Sequence, residues 1–299
     1  MSTNPGERFS YPPTERMSPG SMTVLILGDL LAAGSFAVFA NSGMVLVGLA
    51  MLVVGLTLIV FGAAGLGRRM LIPPRLATNG AAYPARLEGQ LDPNLSRWMW
   101  LVKWFLAIPH YMVLAFLGFA FVVVTIAAGF AILFTGRYPA SLFQFTVGVM
   151  RWNWRVAFYA NGVMGTDQYP PFTLAHTDYP ATFEVDYPEK LSHWKVLVKS
   201  WLLALPHLVI VGLITGSIWS SSTQGGTNGL SLLGVLVFIT AVILLFTGVY
   251  RVGLFNLIMG INRWIYRTIT YAALMRDNYP PFRLDQGPLD PPGRPGALG

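Results

Sequence analysis

The chain has 299 residues, of which 54% are hydrophobic and only 11% charged, less than half the roughly 25% charged share of soluble domains. That balance and a mean hydropathy of +0.55 argue against a soluble enzyme, a disordered polymer or a nucleic-acid binder. Cysteine is absent, which excludes disulfide frameworks, thiolate metal centres and thiol nucleophiles. The net charge is +7, from 20 Lys and Arg against 13 Asp and Glu, and the position of those positives carries the information.

Residues 1–21 are Pro-rich and of mixed charge and read as a disordered cytoplasmic tail. A transmembrane helix needs roughly 20 mostly apolar residues. Segments 22–40 and 44–66 both qualify, with Asn41-Ser42-Gly43 as a turn between them. A cleaved signal peptide at 22–40 is disfavoured, because the tail before it is long and another apolar segment follows at once. The apolar block 98–134 is too long for one span and is expected to form a hairpin turning near Gly118. A third hairpin is expected from 193–219 and 230–246, divided by the polar stretch 220–229 (SSSTQGGTNG). The prediction is an all-α integral membrane protein with six transmembrane helices in three hairpins.

Charge placement follows the same pattern. Every Lys and Arg falls in the N-terminal tail or in 68–103, 137–199 or 251–294, and the three expected outer turns carry none. By the positive-inside rule both termini are then cytoplasmic, in a multi-pass protein of a bacterial cell membrane.

Self-comparison reveals an internal repeat. Tyr83-Pro84-Ala85 recurs as Tyr179-Pro180-Ala181, and Leu95-Ser96-Arg97-Trp98 as Leu191-Ser192-His193-Trp194. Ala107-Ile108-Pro109-His110 returns as Ala204-Leu205-Pro206-His207, and Leu133-Phe134-Thr135-Gly136 as Leu245-Phe246-Thr247-Gly248. Asp167-Gln168-Tyr169-Pro170-Pro171-Phe172 returns as Asp277-Asn278-Tyr279-Pro280-Pro281-Phe282. The offset rises from 96–97 to 112 across the apolar block, so the second copy carries an insertion at its Ser/Gly-rich turn. The chain therefore divides into a hairpin at 22–66, repeat one at 83–174, repeat two at 179–284 and a Pro/Gly tail at 285–299, expected to be disordered. Two spans per copy would make the repeats parallel, related by a pseudo-two-fold axis along the membrane normal.

Each repeat carries a further amphipathic helix. Gln144, Gly148, Arg151, Arg155 and Tyr159 share one helical face, as do Asn256, Gly260, Arg263, Arg267 and Tyr271. This helix is expected at the cytoplasmic interface or slotted partly into the bundle. The alternating run 182–187 reads as a strand. Segments 86–88, 172–174 and 282–284 could pair with it in a small cytoplasmic sheet.

The Ile-Pro-His, Phe-Thr-Gly-x-Tyr-Pro, Arg-Trp-x-x-Arg-Val-x-x-Tyr and Asp-x-Tyr-Pro-Pro-Phe motifs together resemble the domain of unknown function 4389 family. These are bacterial, largely actinobacterial, membrane proteins that often carry the unit in tandem. The resemblance covers about 83–284. Repeat two departs from it with Val249-Tyr250-Arg251 where repeat one has Arg137-Tyr138-Pro139, and with Thr268 in the place of Val156. It implies membrane location and fold, and no activity.

Four groups of residues are candidates for chemistry. Arg151, Arg155, Arg263 and Arg267 could cradle lipid phosphates or another anion, since guanidinium suits bidentate phosphate contacts. The structural alternative, which is favoured, pairs them with Asp167 and Asp277 or with Glu88 and Glu184. His110 and His207, each beside a Pro, could bind a metal or haem between the repeats. The favoured alternative is hydrogen bonding at the break that Pro makes. Asp29 is the acid inside a predicted span, where a carboxylate is by default a functional hypothesis. Tyr169, Phe172, Tyr279 and Phe282 form stiff aromatic turns that pack locally or dock a partner protein.

No catalytic set, metal site or cofactor motif appears. Membrane topology accounts for the basic charge, so nucleic-acid binding is not required. The favoured function is a non-catalytic membrane module: an accessory, scaffolding or regulatory subunit contacting lipid or a protein partner. A small transporter or lipid carrier using the repeat interface is the alternative, and a membrane enzyme on a lipid-linked substrate comes third.

Overall fold

The computed structural model describes residues 19–39, 44–70, 83–216 and 231–290. In chain order these form α1 (Pro19–Phe39), α2 (Val45–Arg69), β1 (Ala85–Gly89), α3 (Trp100–Leu106), α4 (Ile108–Thr135) and α5 (Ala140–Tyr159). There follow β2 (Ala181–Val185), α6 (His193–Val198), a π-type turn (Lys199–Leu203), α7 (Leu205–Thr215), α8 (Leu232–Thr247) and α9 (Val252–Ala272).

The first hairpin forms as its composition dictates, although its turn at Asn41-Ser42-Gly43 lies outside the described residues. Helices α1 and α2 bury Leu25, Ala32, Ile59 and Ala63. Their backbones touch at glycine: a Cβ on Gly28 would fall 2.8 Å from the Gly55 carbonyl oxygen. Small residues at such a crossing let apolar helices approach closely where the hydrophobic effect between them is weak.

The second expected hairpin does not form. Helix α4 runs unbroken through Gly118 for 28 residues, about 42 Å at the usual rise. A single Gly costs an apolar helix only about 1 kcal/mol, and no Pro or polar run stands beside Gly118 to turn the chain. In repeat two the matching stretch is divided into α7 and α8, of 11 and 16 residues. The polar stretch 220–229 lies outside the described residues. The insertion belongs to repeat two, and repeat one, which lacks it, keeps a single helix. Among the described residues, α1, α2 and α4 are long and apolar enough to cross a membrane, while α7 and α8 are shorter apolar helices. Six transmembrane helices are not supported.

Helices α5 and α9 form the centre of the molecule. Fifteen of the 20 residues of α5 are buried, from Leu142 to Tyr159, so it is enclosed on nearly all sides rather than laid on a surface. The two helices meet where Trp154 packs on Tyr266 at 5.5 Å between ring centroids, and the Tyr266 hydroxyl donates to Asn153 at 2.6 Å.

Among the described residues the sheet contains only β1 and β2, paired antiparallel with Leu87 opposite Phe183 at its centre. Segments 172–174 and 282–284 are not strands; Thr173 and Leu174 instead supply backbone carbonyls to Arg155 and Arg151. Leu87 and Phe183 are repeat equivalents, so a local two-fold axis passes through their pair. The strands are exchanged about it. Arg263 of α9 donates to the Leu87 carbonyl at 2.9 Å, and Arg151 of α5 donates to the Phe183 carbonyl at 3.2 Å. Each repeat's central helix therefore holds the other repeat's strand.

The same exchange recurs at the helix ends. Gly136 closes α4 and Gly248 closes α8, both left-handed at φ 66° and 70°, the conformation glycine adopts without strain. His193 of repeat two places Nδ1 2.7 Å from the Leu133 carbonyl at the end of α4. Arg97 of repeat one covers the end of α8, where its guanidinium lies against Gly248 and leaves no room for a Cβ.

Candidate functional site

The chemistry-bearing residues assemble into two matching clusters, one in each repeat. Pro109 stands in the first turn of α4, where a missing N–H does no harm, and this turn presents the next residue, His110, towards α5. Trp152 donates from Nε1 to His110 Nδ1 at 3.1 Å, and Trp264 donates to His207 Nδ1 at 3.0 Å. Indole is a donor only, so in both rings the proton sits on Nε2. Phe172 stacks on His110 with centroids 3.9 Å apart, and Phe282 on His207 at 4.0 Å. Tyr169 and Tyr279 complete the two groups, each 4.9 Å from its histidine. The Tyr169 hydroxyl also donates to the Leu106 carbonyl at the helix break, at 3.1 Å. The YPPF turns thus clasp the Pro-His corners.

Beneath each clasp lies a buried lysine. Lys103 Nζ contacts Asp167 Oδ1 at 2.7 Å and donates to the Thr166 carbonyl at 2.7 Å. Lys199 pairs with Asp277 at 3.1 Å. The other oxygen of each aspartate accepts a backbone N–H, from Ser96 at 2.6 Å and Ser192 at 2.8 Å. The ammonium groups also lie over Tyr159 and Tyr271, 5.3 and 4.9 Å from the ring centroids. Burial pushes Lys199 down to about 8 and lowers Lys103, with the paired aspartates opposing in each case.

The four arginines are turned inward, none more than 6% exposed. Arg151 reaches Glu184 at 3.1 Å and donates to the Leu174 carbonyl at 2.9 Å. Arg155 has no carboxylate contact among the described residues; it donates to the carbonyls of Thr173 and Ala175 and to Thr177 Oγ1, at 2.9–3.0 Å. Burial, reinforced by neighbouring Arg151, pushes Arg155 down to about 9. Arg267 pairs with Asp285 at 2.6 Å and Asp290 at 2.5 Å, and Arg263 with Asp290 at 3.3 Å. Residues 285–290, expected in the disordered tail, instead lie against α9 and β1. The Leu87 N–H donates to Asp290 at 2.9 Å and the Gly89 N–H to the Pro288 carbonyl at 3.0 Å.

Asp29 stands apart from all of this. It is buried in α1, and neither carboxylate oxygen has a hydrogen-bond partner among the described residues. His110 and His207 are each engaged within their own repeat. Among the described residues no group of three or more His, Asp or Glu is placed to hold a metal ion.

Sequence reasoning missed the lysines, Trp152 and Trp264, and the Asp285–Asp290 segment. Lys103 and Lys199 did leave a signal: each is a cation at the same repeat position within an apolar run.

Among the described residues, three helices of spanning length, a twice-built aromatic clasp and a two-fold exchange of strands fit a helical membrane protein made from tandem units. The family model of the domain of unknown function (DUF4389) matches residues 97–173 and 229–283, two segments consistent with a protein of that family carrying the unit in tandem. No curated protein and no solved structure matches the chain.

Proposed function

We propose that the protein is a non-catalytic module of a bacterial cell membrane, an accessory, scaffolding or regulatory subunit that meets a partner protein or anionic lipid. One observation carries this reading. In both repeats the polar chemistry is directed inward: the arginines hold strands and loops, the lysines hold the YPPF-preceding aspartates, and the histidines hold tryptophans. The half-exposed outer edges of Tyr169, Phe172, Tyr279 and Phe282 offer a rigid surface for docking. By the positive-inside rule, the end of the first hairpin bearing Arg68 and Arg69 faces the cytoplasm.

Affinity purification of the full chain in mild detergent tests the reading. A stoichiometric membrane partner is the expected result, and a bare protein under all growth conditions overturns it. The unpartnered Asp29 carboxylate favours a second reading, a proton or cation step in a small transporter. Proteoliposome flux that disappears in Asp29→Asn would establish that alternative.

A further inference from the structure

The four central arginines are engaged inside; among the described residues, exposed cations stand at the end of α2 (Arg68, Arg69), at Arg283, which pairs with Asp285, and in two groups at the C-terminal ends of the apolar helices α4 and α8. At the end of α4, Phe134 is 79% exposed and Arg137 is exposed. The Leu191 N–H donates to the Gly136 carbonyl at 2.9 Å, which fixes the start of repeat two against this end. Exposed Trp194 and Lys195 follow directly after the capping His193. Of the acids on that segment, Asp186 is tied to Arg86 at 2.9 Å, which leaves Glu189.

The end of α8 repeats the composition. Phe246 is 78% exposed, and Arg97, Trp98 and Arg251 are exposed around Gly248. The two patches are equivalent under the two-fold axis through Leu87 and Phe183. Each joins an exposed Phe and Trp, at the end of an apolar helix, to two cations.

We infer that these two patches bind the phosphate of anionic phospholipid headgroups, with Arg137 and Lys195 in one and Arg97 and Arg251 in the other. Trp at the headgroup level with Lys or Arg beside it is the combination that suits a membrane–water interface. Continuity with apolar helices points to a lipid rather than a soluble anion. The inference rests on the membrane reading above and names the lipid class and residues that reading leaves open.

The test uses the full-length protein purified in nonionic detergent. It is titrated by calorimetry with short-chain phosphatidylglycerol, phosphatidylcholine and inorganic phosphate. Saturable binding of phosphatidylglycerol alone is expected. In Arg137→Gln, Lys195→Gln and Arg251→Gln, each removed charge weakens its patch by roughly fivefold, whereas Arg137→Lys and Arg251→Lys retain binding. Equal affinity in wild type and glutamine variants overturns the inference, as does binding of phosphatidylcholine or free phosphate at similar strength. On the unaltered protein, rising salt should weaken the binding, and salt-independent binding overturns it without any variant. A missing protein partner leaves this result untouched, and loss of lipid selectivity leaves partner capture untouched.

Discussion

Leu87 and Phe183 occupy the same position in their two repeats and also face each other in the antiparallel ladder. A pair of equivalents can be register partners only if the repeats are related by a two-fold rotation at that point. The strands then lie across the axis, and each packs on the central helix of the opposite copy.

This register is open to cross-linking, because the natural chain has no cysteine. Glu88 and Thr182 are opposed in the ladder, and Cα atoms of opposed residues, about 4.5–5.5 Å apart, are within disulfide range. Glu88→Cys with Thr182→Cys should oxidise within one chain, seen as faster migration on a non-reducing gel. Glu88→Cys with Glu184→Cys, equivalent residues away from the centre, should not.

Loss of Arg267 should be costly. Arg267→Gln leaves the enclosed Asp290 carboxylate to Arg263 alone and Asp285 to the exposed Arg283, and breaking a buried ion pair costs about 3–5 kcal/mol. The melting temperature in detergent should fall well below wild type, and a shift within error would refute the clasp. Arg155→Lys should be destabilising too, because one compact ammonium cannot span the carbonyls of Thr173 and Ala175 and the Thr177 hydroxyl.

His110→Ala should destabilise without altering any metal content. It removes the stack on Phe172 and leaves the Trp152 N–H unpaired, together roughly 2–4 kcal/mol. His207→Ala should behave alike, since the second cluster has the same distances. A Soret band or bound metal that vanishes with either histidine would point to a ligand role instead.

Lys199 gives the protein a pH signature. Its value lies at about 8 in the folded protein against 10.5 ordinarily. The folded chain therefore releases this proton before the unfolded chain does. Between about pH 8 and pH 10.5 the unfolded state binds more protons, so this group's contribution to stability rises with pH. Melting temperatures of wild type should climb relative to Lys199→Met across that window. A constant difference would show that Lys199 does not titrate there.

Much of this architecture was legible in the amino-acid pattern, and the exceptions have physical causes. The α1–α2 pair was readable because two apolar runs of spanning length stand on either side of a short Asn-Ser-Gly sequence. The repeat was readable from Pro-His, Phe-Thr-Gly and YPPF. The hairpin at Gly118 was not present, because an apolar run turns only where residues force it, and repeat one lacks the insertion of repeat two. Exchange of strands was invisible, since alignment tells which residues are equivalent and not which copy each one touches. For the same reason Asp167 and Asp277 were offered to arginines, while space brings them Lys103 and Lys199.

The exchanged strands and helix caps also determine what happens when the chain is divided. A cut between Tyr187 and His193 would separate the two sequences but not the two bodies. The first fragment would carry the strand that α9 needs and the arginine that covers the end of α8. The second would return the histidine at the end of α4 and the contacts of Arg263, Asp290 and Pro288 with β1, but neither strand. Reassembly would therefore be obligatory and lopsided: the fragments should be recovered together from co-expression, and the second should be the one lost when produced alone.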